Sequence, residues 1–228
     1  MGNKGKKYLI LLMLILFGFL EISNADTISF SDSIPMTNTD WVSTVSIPMF
    51  DPSLGTLNSI TFDLTADIGG TAGFENKDLS AATITMNMAE LVTLQRPDSS
   101  NIVTSVPIIG TSDNVTAYDG ITDYSGTSGN LYTDLYESKD ATYTSFAAND
   151  LLLFTGVGNI DLTVNAMGIT SSAGAANIST IFIPQASANA LITYDYVATA
   201  QTPEPTTISL LAVGLAFLRK KRNRKSSR

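Results

Sequence analysis

The chain has 228 residues with no Cys and no His, and 13 basic against 21 acidic side chains give it a net charge of −8. Without those two residue types it holds no disulfide framework, thiolate zinc site or cysteine nucleophile, and no Ser-His-Asp or His-zinc hydrolase. Ten of the thirteen basic residues lie in two terminal clusters, so the intervening acidic body, with only Lys77, Arg96 and Lys139, repels phosphate backbones and predicts no nucleic-acid partner.

Residues 1–25 read MGNKGKKYLILLMLILFGFLEISNA. Lys4, Lys6 and Lys7 precede an apolar run from Tyr8 to Leu20, and Ser23-Asn24-Ala25 closes the segment. This is the order of a secretory signal peptide, with cleavage expected between Ala25 and Asp26. The alternative is a permanent anchor, but the run is shorter than the ~20 apolar residues of a spanning helix.

From residue 26 to about 201 the chain is rich in Ser, Thr, Val and Ile, with Gly, Asn and Asp as punctuation. Val42–Met49 is the first predicted strand. In SITFDLTA, Ile60, Phe62, Leu64 and Ala66 alternate with polar residues, the period of a half-buried strand with those side chains facing a core. Ala82–Leu94 and Ile102–Ile109 follow, then a short Leu151–Phe154 strand. NIDLTVNAMG repeats the alternation through Ile160, Leu162, Val164 and Ala166, and Ile178–Pro184 and Ala190–Ala198 complete the set. About eight strands without a sustained helical period predict an all-β fold, an antiparallel β-sandwich of jelly-roll type, as one domain over residues 26–201. A signal helix and a C-terminal hydrophobic helix are expected to flank it.

Between the first two strands, FDPSLGTL reads as a turn, with Asp51 accepting a backbone N–H and Pro52 setting φ. The Gly156-Val157-Gly158 pair lacks the third glycine and the helix of a dinucleotide loop, and also reads as a turn. The longest polar insertion is DNVTAYDGITDYSGTSGN at Asp113–Asn130. Asp113, Asp119 and Asp123 offer hard oxygen ligands suited to calcium, though not at EF-hand spacing; simple solvation is the alternative. Tyr118, Tyr124 and Tyr132 are candidates for stacking on sugar rings. Nothing in the chain identifies a catalytic residue or calls for any other cofactor.

At the C-terminus, Pro203-Glu204-Pro205 bars a helix through its own positions. Ile208–Leu218 is then apolar or small, and Arg219, Lys220, Lys221, Arg222, Arg224 and Lys225 follow. Basic residues stay cytoplasmic during export, so this segment stops translocation and holds the protein at a membrane. Pro-Glu-Pro, a hydrophobic segment and a basic end, in that order over residues 202–228, resemble the bacterial PEP-CTERM sorting signal. Thr202 and Thr206 stand where that family often has Val and Ser. The resemblance implies export, processing near Pro203–Pro205 by an exosortase-type membrane protease, a membrane-anchored intermediate, and a destination at the cell surface or in the extracellular polysaccharide matrix of biofilm-forming bacteria.

The body carries a second resemblance. FDPSLGTL, the phrase FENKD at Phe74–Asp78, Phe154-Thr155-Gly156-Val157-Gly158 and Tyr194-Asp195-Tyr196 occur in the order seen in the bacterial choice-of-anchor E domain. That group implies an anchored surface domain and no established chemistry. The expected function is therefore a non-catalytic exported surface or matrix protein; the alternative is a module that binds extracellular polysaccharide, with or without calcium.

Overall fold

The alternation around Phe62 extends far beyond the eight residues that display it, because both neighbours of that strand continue the ladder. The computed structural model describes residues 25–199. In chain order its strands are β1 (Ala25–Asn38), β2 (Trp41–Pro48), β3 (Gly55–Asn76), β4 (Ala82–Gln95), β5 (Asn101–Ser105), β6 (Ile108–Val115), β7 (Gly129–Ser145), β8 (Asn159–Ala173) and β9 (Ile178–Ala198). One short helix, α1 (Ala148–Leu153), lies between β7 and β8.

Two antiparallel sheets form a β-sandwich. One has the order β1-β9-β3-β7, and the other the order β2-β8-β4-β5 with β6 also on β4. Strand β6 pairs along Ala82–Ala89 of β4 and β5 along Val92–Gln95. The predicted Ile102–Ile109 strand is thus two strands, broken at Val106-Pro107, because proline has no N–H to give a ladder. Conversely, Ile178–Pro184 and Ala190–Ala198 join into one strand; Pro184 falls just beyond the last β1–β9 pair, Asn38 with Gln185.

The alternating residues face inward as their period requires. Ile60, Phe62, Leu64, Leu162 and Val164 are fully buried and Ile160 nearly so. They belong to a main core that extends from Ile34 to Tyr196 in sequence. A smaller cluster of Ala72, Phe74, Ile84 and Met86 lies further along β3 and β4.

Within the expected Leu151–Phe154 strand, Leu151–Leu153 is helical and Phe154 caps the helix, which corrects that expectation. Leu151 N–H bonds the Ala147 carbonyl at 3.0 Å and Phe154 N–H the Asp150 carbonyl at 3.0 Å. Three consecutive leucines carry no period of their own. Asp150 favours the helix, since an acid suits the first helical turn, and Arg96 pairs with it there.

Candidate functional site

The sorting residues Pro203, Glu204 and Pro205, the basic cluster from Arg219 to Lys225, and the signal segment before Ala25 lie outside the described residues. At the expected cleavage point, Ala25 opens β1 opposite Val197. Asp26 accepts a hydrogen bond from the Tyr196 hydroxyl at 3.3 Å.

The phrases that carried the second resemblance meet in space. Phe50, from FDPSLGTL, is buried, with ring centroids 5.9 Å from Tyr194 and 5.1 Å from Tyr196. Its N–H bonds the Phe154 carbonyl at 2.8 Å, and its carbonyl accepts from Gly156 N–H at 2.9 Å. Asp51 Oδ1 accepts from Ser53 N–H at 2.8 Å, the turn expected of Asp-Pro. Tyr194 is wholly buried and donates its hydroxyl to the Pro48 carbonyl at 2.9 Å. Burial pushes its phenol pKa up, so it stays a donor. This is an aromatic plug at one end of the sandwich, and its chemistry is packing.

FENKD is a clamp at the other end. Glu75 and Asn76 are fully buried. The Glu75 carboxylate accepts from Ser128 Oγ and from Tyr124 N–H at 3.0 Å. Asn76 Nδ2 donates to the carbonyls of Ser80 and Thr116 at 2.9 and 2.8 Å. Asp78 Oδ2 accepts from Ala176 N–H at 2.8 Å. Three loops that never pair as strands are thereby pinned to the end of β3. Gly129, opposite Glu75 in the ladder, is required, because a Cβ there would stand 2.8 Å from the Phe74 carbonyl oxygen.

The pinned insertion shapes a groove. Strand β6 takes up residues to Val115 and β7 starts at Gly129, leaving 116–128 as loop. The groove has a volume of about 620 Å³ and is lined by Asp113, Asn114, Thr116, Tyr124, Ser125 and Asn130, among others. Of the three tyrosines singled out in the sequence, Tyr124 lines it. Its backbone takes φ 55°, the left-handed region that a non-glycine residue enters only when held there, and the bond to Glu75 holds it. Tyr118 packs beneath the Lys77 ammonium, 5.8 Å from ring centroid to nitrogen.

The three candidate calcium ligands are placed apart in role. Asp113 Oδ2 accepts from the Tyr132 hydroxyl and from Asn130 Nδ2 at 2.7 Å, bonds that hold its carboxyl below the usual range. Asp119 accepts from Ile121 N–H at 3.0 Å, and Asp123 from Ser125 N–H at 3.1 Å. Asp119 and Asp123 each serve their own turn, while Asp113 links β6 to β7. Among the described residues no group of three or more acidic side chains that could hold a metal is gathered.

One site went unread in the sequence. Along β4 the inward phase is Ile84, Met86, Met88, Glu90, Val92 and Leu94, so a carboxylate occupies a core position. Glu90 is fully buried, and neither of its oxygens has a hydrogen-bond partner. Desolvation, then the like charge of Asp40, pushes its carboxyl up to about 7. The Asp40 Oδ1 atom accepts from Gly168 N–H at 2.7 Å. An acid in the inward phase of a strand is the signal that would have found it.

No family model and no curated protein matches the chain. Among solved structures it is similar to the infectious bursal disease virus T13 particle, over 88% of this chain and 47% of that one, at 10% identity and a TM-score of 0.23. The CBM2 module of the evolved Dit of Lactobacillus casei BL23 phage J-1 is similar over 69% of this chain and 71% of its own, at 7% identity and a TM-score of 0.23. Desmodium yellow mottle tymovirus is similar over 79% and 91%, at 8% identity and a TM-score of 0.19. The chain spans about half the length of the bursal disease virus protein it matches, and likeness at this level does not extend to function.

Proposed function

We propose that the chain is an exported, non-catalytic surface or matrix protein, whose body is a jelly-roll domain delivered and held by its C-terminal sorting segment. The observation that carries this reading is how the body is closed. The buried core of the described residues is drawn from Ile34 to Tyr196, and the chain enters and leaves through paired strands, Ala25 opposite Val197. The described body thus closes on its own first and last strands, which pair with each other. The jelly-roll assignment is supported by the strand order β1-β9-β3-β7, in which strands from the two halves of the chain alternate across one sheet.

The reading makes the Pro203–Pro205 motif the address and an exosortase-type membrane protease the first partner. Intact-mass measurement and N-terminal sequencing of material exported by a bacterium carrying that protease test it. A mature form starting at Asp26 and ending near Glu204 is expected. A mature form that begins at Met1 overturns the export half, and one that retains Arg228 replaces processing by a permanent anchor.

The groove favours a second reading, binding of extracellular polysaccharide. Hydroxyl, amide and carboxylate groups line it, with Tyr124 among them, and sugar rings are recognised by such mixtures of polar groups and aromatic faces. A glycan array probed with wild-type protein and with Tyr124→Ala tests it. Saturable binding to one glycan class that the substitution removes supports the module; no binding leaves the groove without this role.

A further inference from the structure

We propose that Glu90, Asp40 and Thr39 form a binding site for a hard cation of the calcium class, in the space above Gly168. Glu90 stands directly opposite Gly168 in the β4–β8 ladder. Because that residue has no side chain, oxygens from two distant segments converge where one would be. A Cβ built on Gly168 would lie 3.0 Å from Thr39 Oγ1, 3.4 Å from Glu90 Oε2 and 3.5 Å from Asp40 Oδ1. Thr39 and Asp40 form the turn between β1 and β2, so the fold, and not sequence proximity, assembles the three.

Glu90 distinguishes this place from an ordinary acidic cluster. It is wholly buried, both carboxylate oxygens lack a partner, and one of them points into the space. The charge acting on it is that of Asp40, of the same sign. The one ion pair among the described residues, Arg96 with Asp150, is elsewhere. Buried carboxylates are otherwise paired, hydrogen-bonded, bound to a cation or neutralised by a proton. The donors are all oxygen, two carboxylates and a hydroxyl, a set that suits calcium with its flexible shell of roughly six to eight oxygens at about 2.3–2.6 Å. Water would complete the shell on the side of exposed Asp40. The absence of His and Cys from the whole chain takes away the ligands that favour softer metals. The site shares no residue with the Asp113, Asp119 and Asp123 set and does not depend on the sorting or polysaccharide readings.

Trp41, the sole tryptophan of the chain, follows Asp40 directly and serves as a built-in antenna. The test is terbium luminescence of the full chain in detergent, excited through Trp41, with calcium as competitor. Saturable emission displaced by calcium is expected. Glu90→Gln and Asp40→Asn should each weaken terbium binding by about tenfold or more, since even outer-shell changes cost about 10–100-fold in metal affinity. Asp113→Asn should leave it unchanged. Asp40 is exposed, so its variant keeps the test valid if Glu90→Gln does not fold. Absent emission, or emission that survives both substitutions, overturns the proposal. So does a Glu90→Gln protein whose unfolding temperature rises without metal while calcium leaves that of the wild type unmoved, because the carboxyl is then held by a proton.

Discussion

Arg96 and Asp150 meet through two parallel hydrogen bonds, Nε to Oδ1 at 2.7 Å and Nη2 to Oδ2 at 2.8 Å. Ser145 Oγ adds a third donor to Asp150 at 2.5 Å, and Arg96 Nη1 reaches the Asn101 carbonyl at 2.9 Å. One guanidinium thus ties the β4–β5 turn, the end of β7 and α1 together. The pair is largely out of water, at 16% and 7% side-chain exposure, so removing one partner strands the other. Arg96→Ala should destabilise the protein by about 2–4 kcal/mol, read as a lower denaturant midpoint. An unchanged midpoint would mean the clasp is dispensable.

The same pair sets an acid limit. Arg96's hydrogen bond is the main force holding the Asp150 carboxyl below its ordinary value of 3.8. A carboxylate whose folded pKa is depressed adds stability that is present above the unfolded pKa and vanishes as pH falls through the folded one. Stability measured from pH 5 downward should therefore fall below about pH 4, and Arg96→Ala should flatten that decline. A variant that keeps the full acid decline would assign it to other carboxylates.

Two substitutions separate packing from hydrogen bonding in the core. Phe62 is fully buried, 5.2 Å between centroids from Phe154, and Phe62→Ala should cost about 3–5 kcal/mol. Tyr194→Phe keeps the ring between Phe30 and Phe50 but leaves the Pro48 carbonyl without its donor. About 1–2 kcal/mol is expected. Equal losses at the two sites, in urea titrations, would contradict this division.

At the opposite end, Glu75→Ala removes the acceptor for Ser128 Oγ and Tyr124 N–H. The 116–128 loop should then exchange its amide hydrogens faster, while β2 and β8 at the far sheet keep their protection. Uniform acceleration would show global destabilisation instead. Gly129→Ala should act similarly, since its new methyl meets the Phe74 carbonyl.

The sequence by itself determined the fold class and the inward faces of the central strands. Ile60, Phe62 and Leu64, like Leu162 and Val164, alternate because β3 and β8 sit between neighbours and bury one full face. Strands β1 and β7 lie at the two edges of their sheet. Most β7 side chains are exposed, so burial leaves little pattern there, whereas β1 carries a weaker alternation at Ile28, Phe30 and Ile34 that went unread. The Ala148–Leu153 helix was unreadable for a related reason. Its Asp150 pairs with Arg96, more than fifty positions away in sequence, a contact no local period encodes.

Tertiary structure alone decided what the phrases do. Phe50, Phe154 and Tyr194 are legible as a series of motifs, but only the closure of the sandwich stacks them into a plug and makes their role packing. FENKD reads as five polar and aromatic letters until the insertion folds back onto Glu75. The acids of the Asp113–Asn130 insertion are plentiful in sequence, and the fold gives each a nearby donor. Glu90 and Asp40, fifty residues apart, become neighbours through the glycine between them in space. Periodicity records burial, which acts on every second residue of a strand; the meeting of distant polar groups leaves no period, and only the folded chain brings them together.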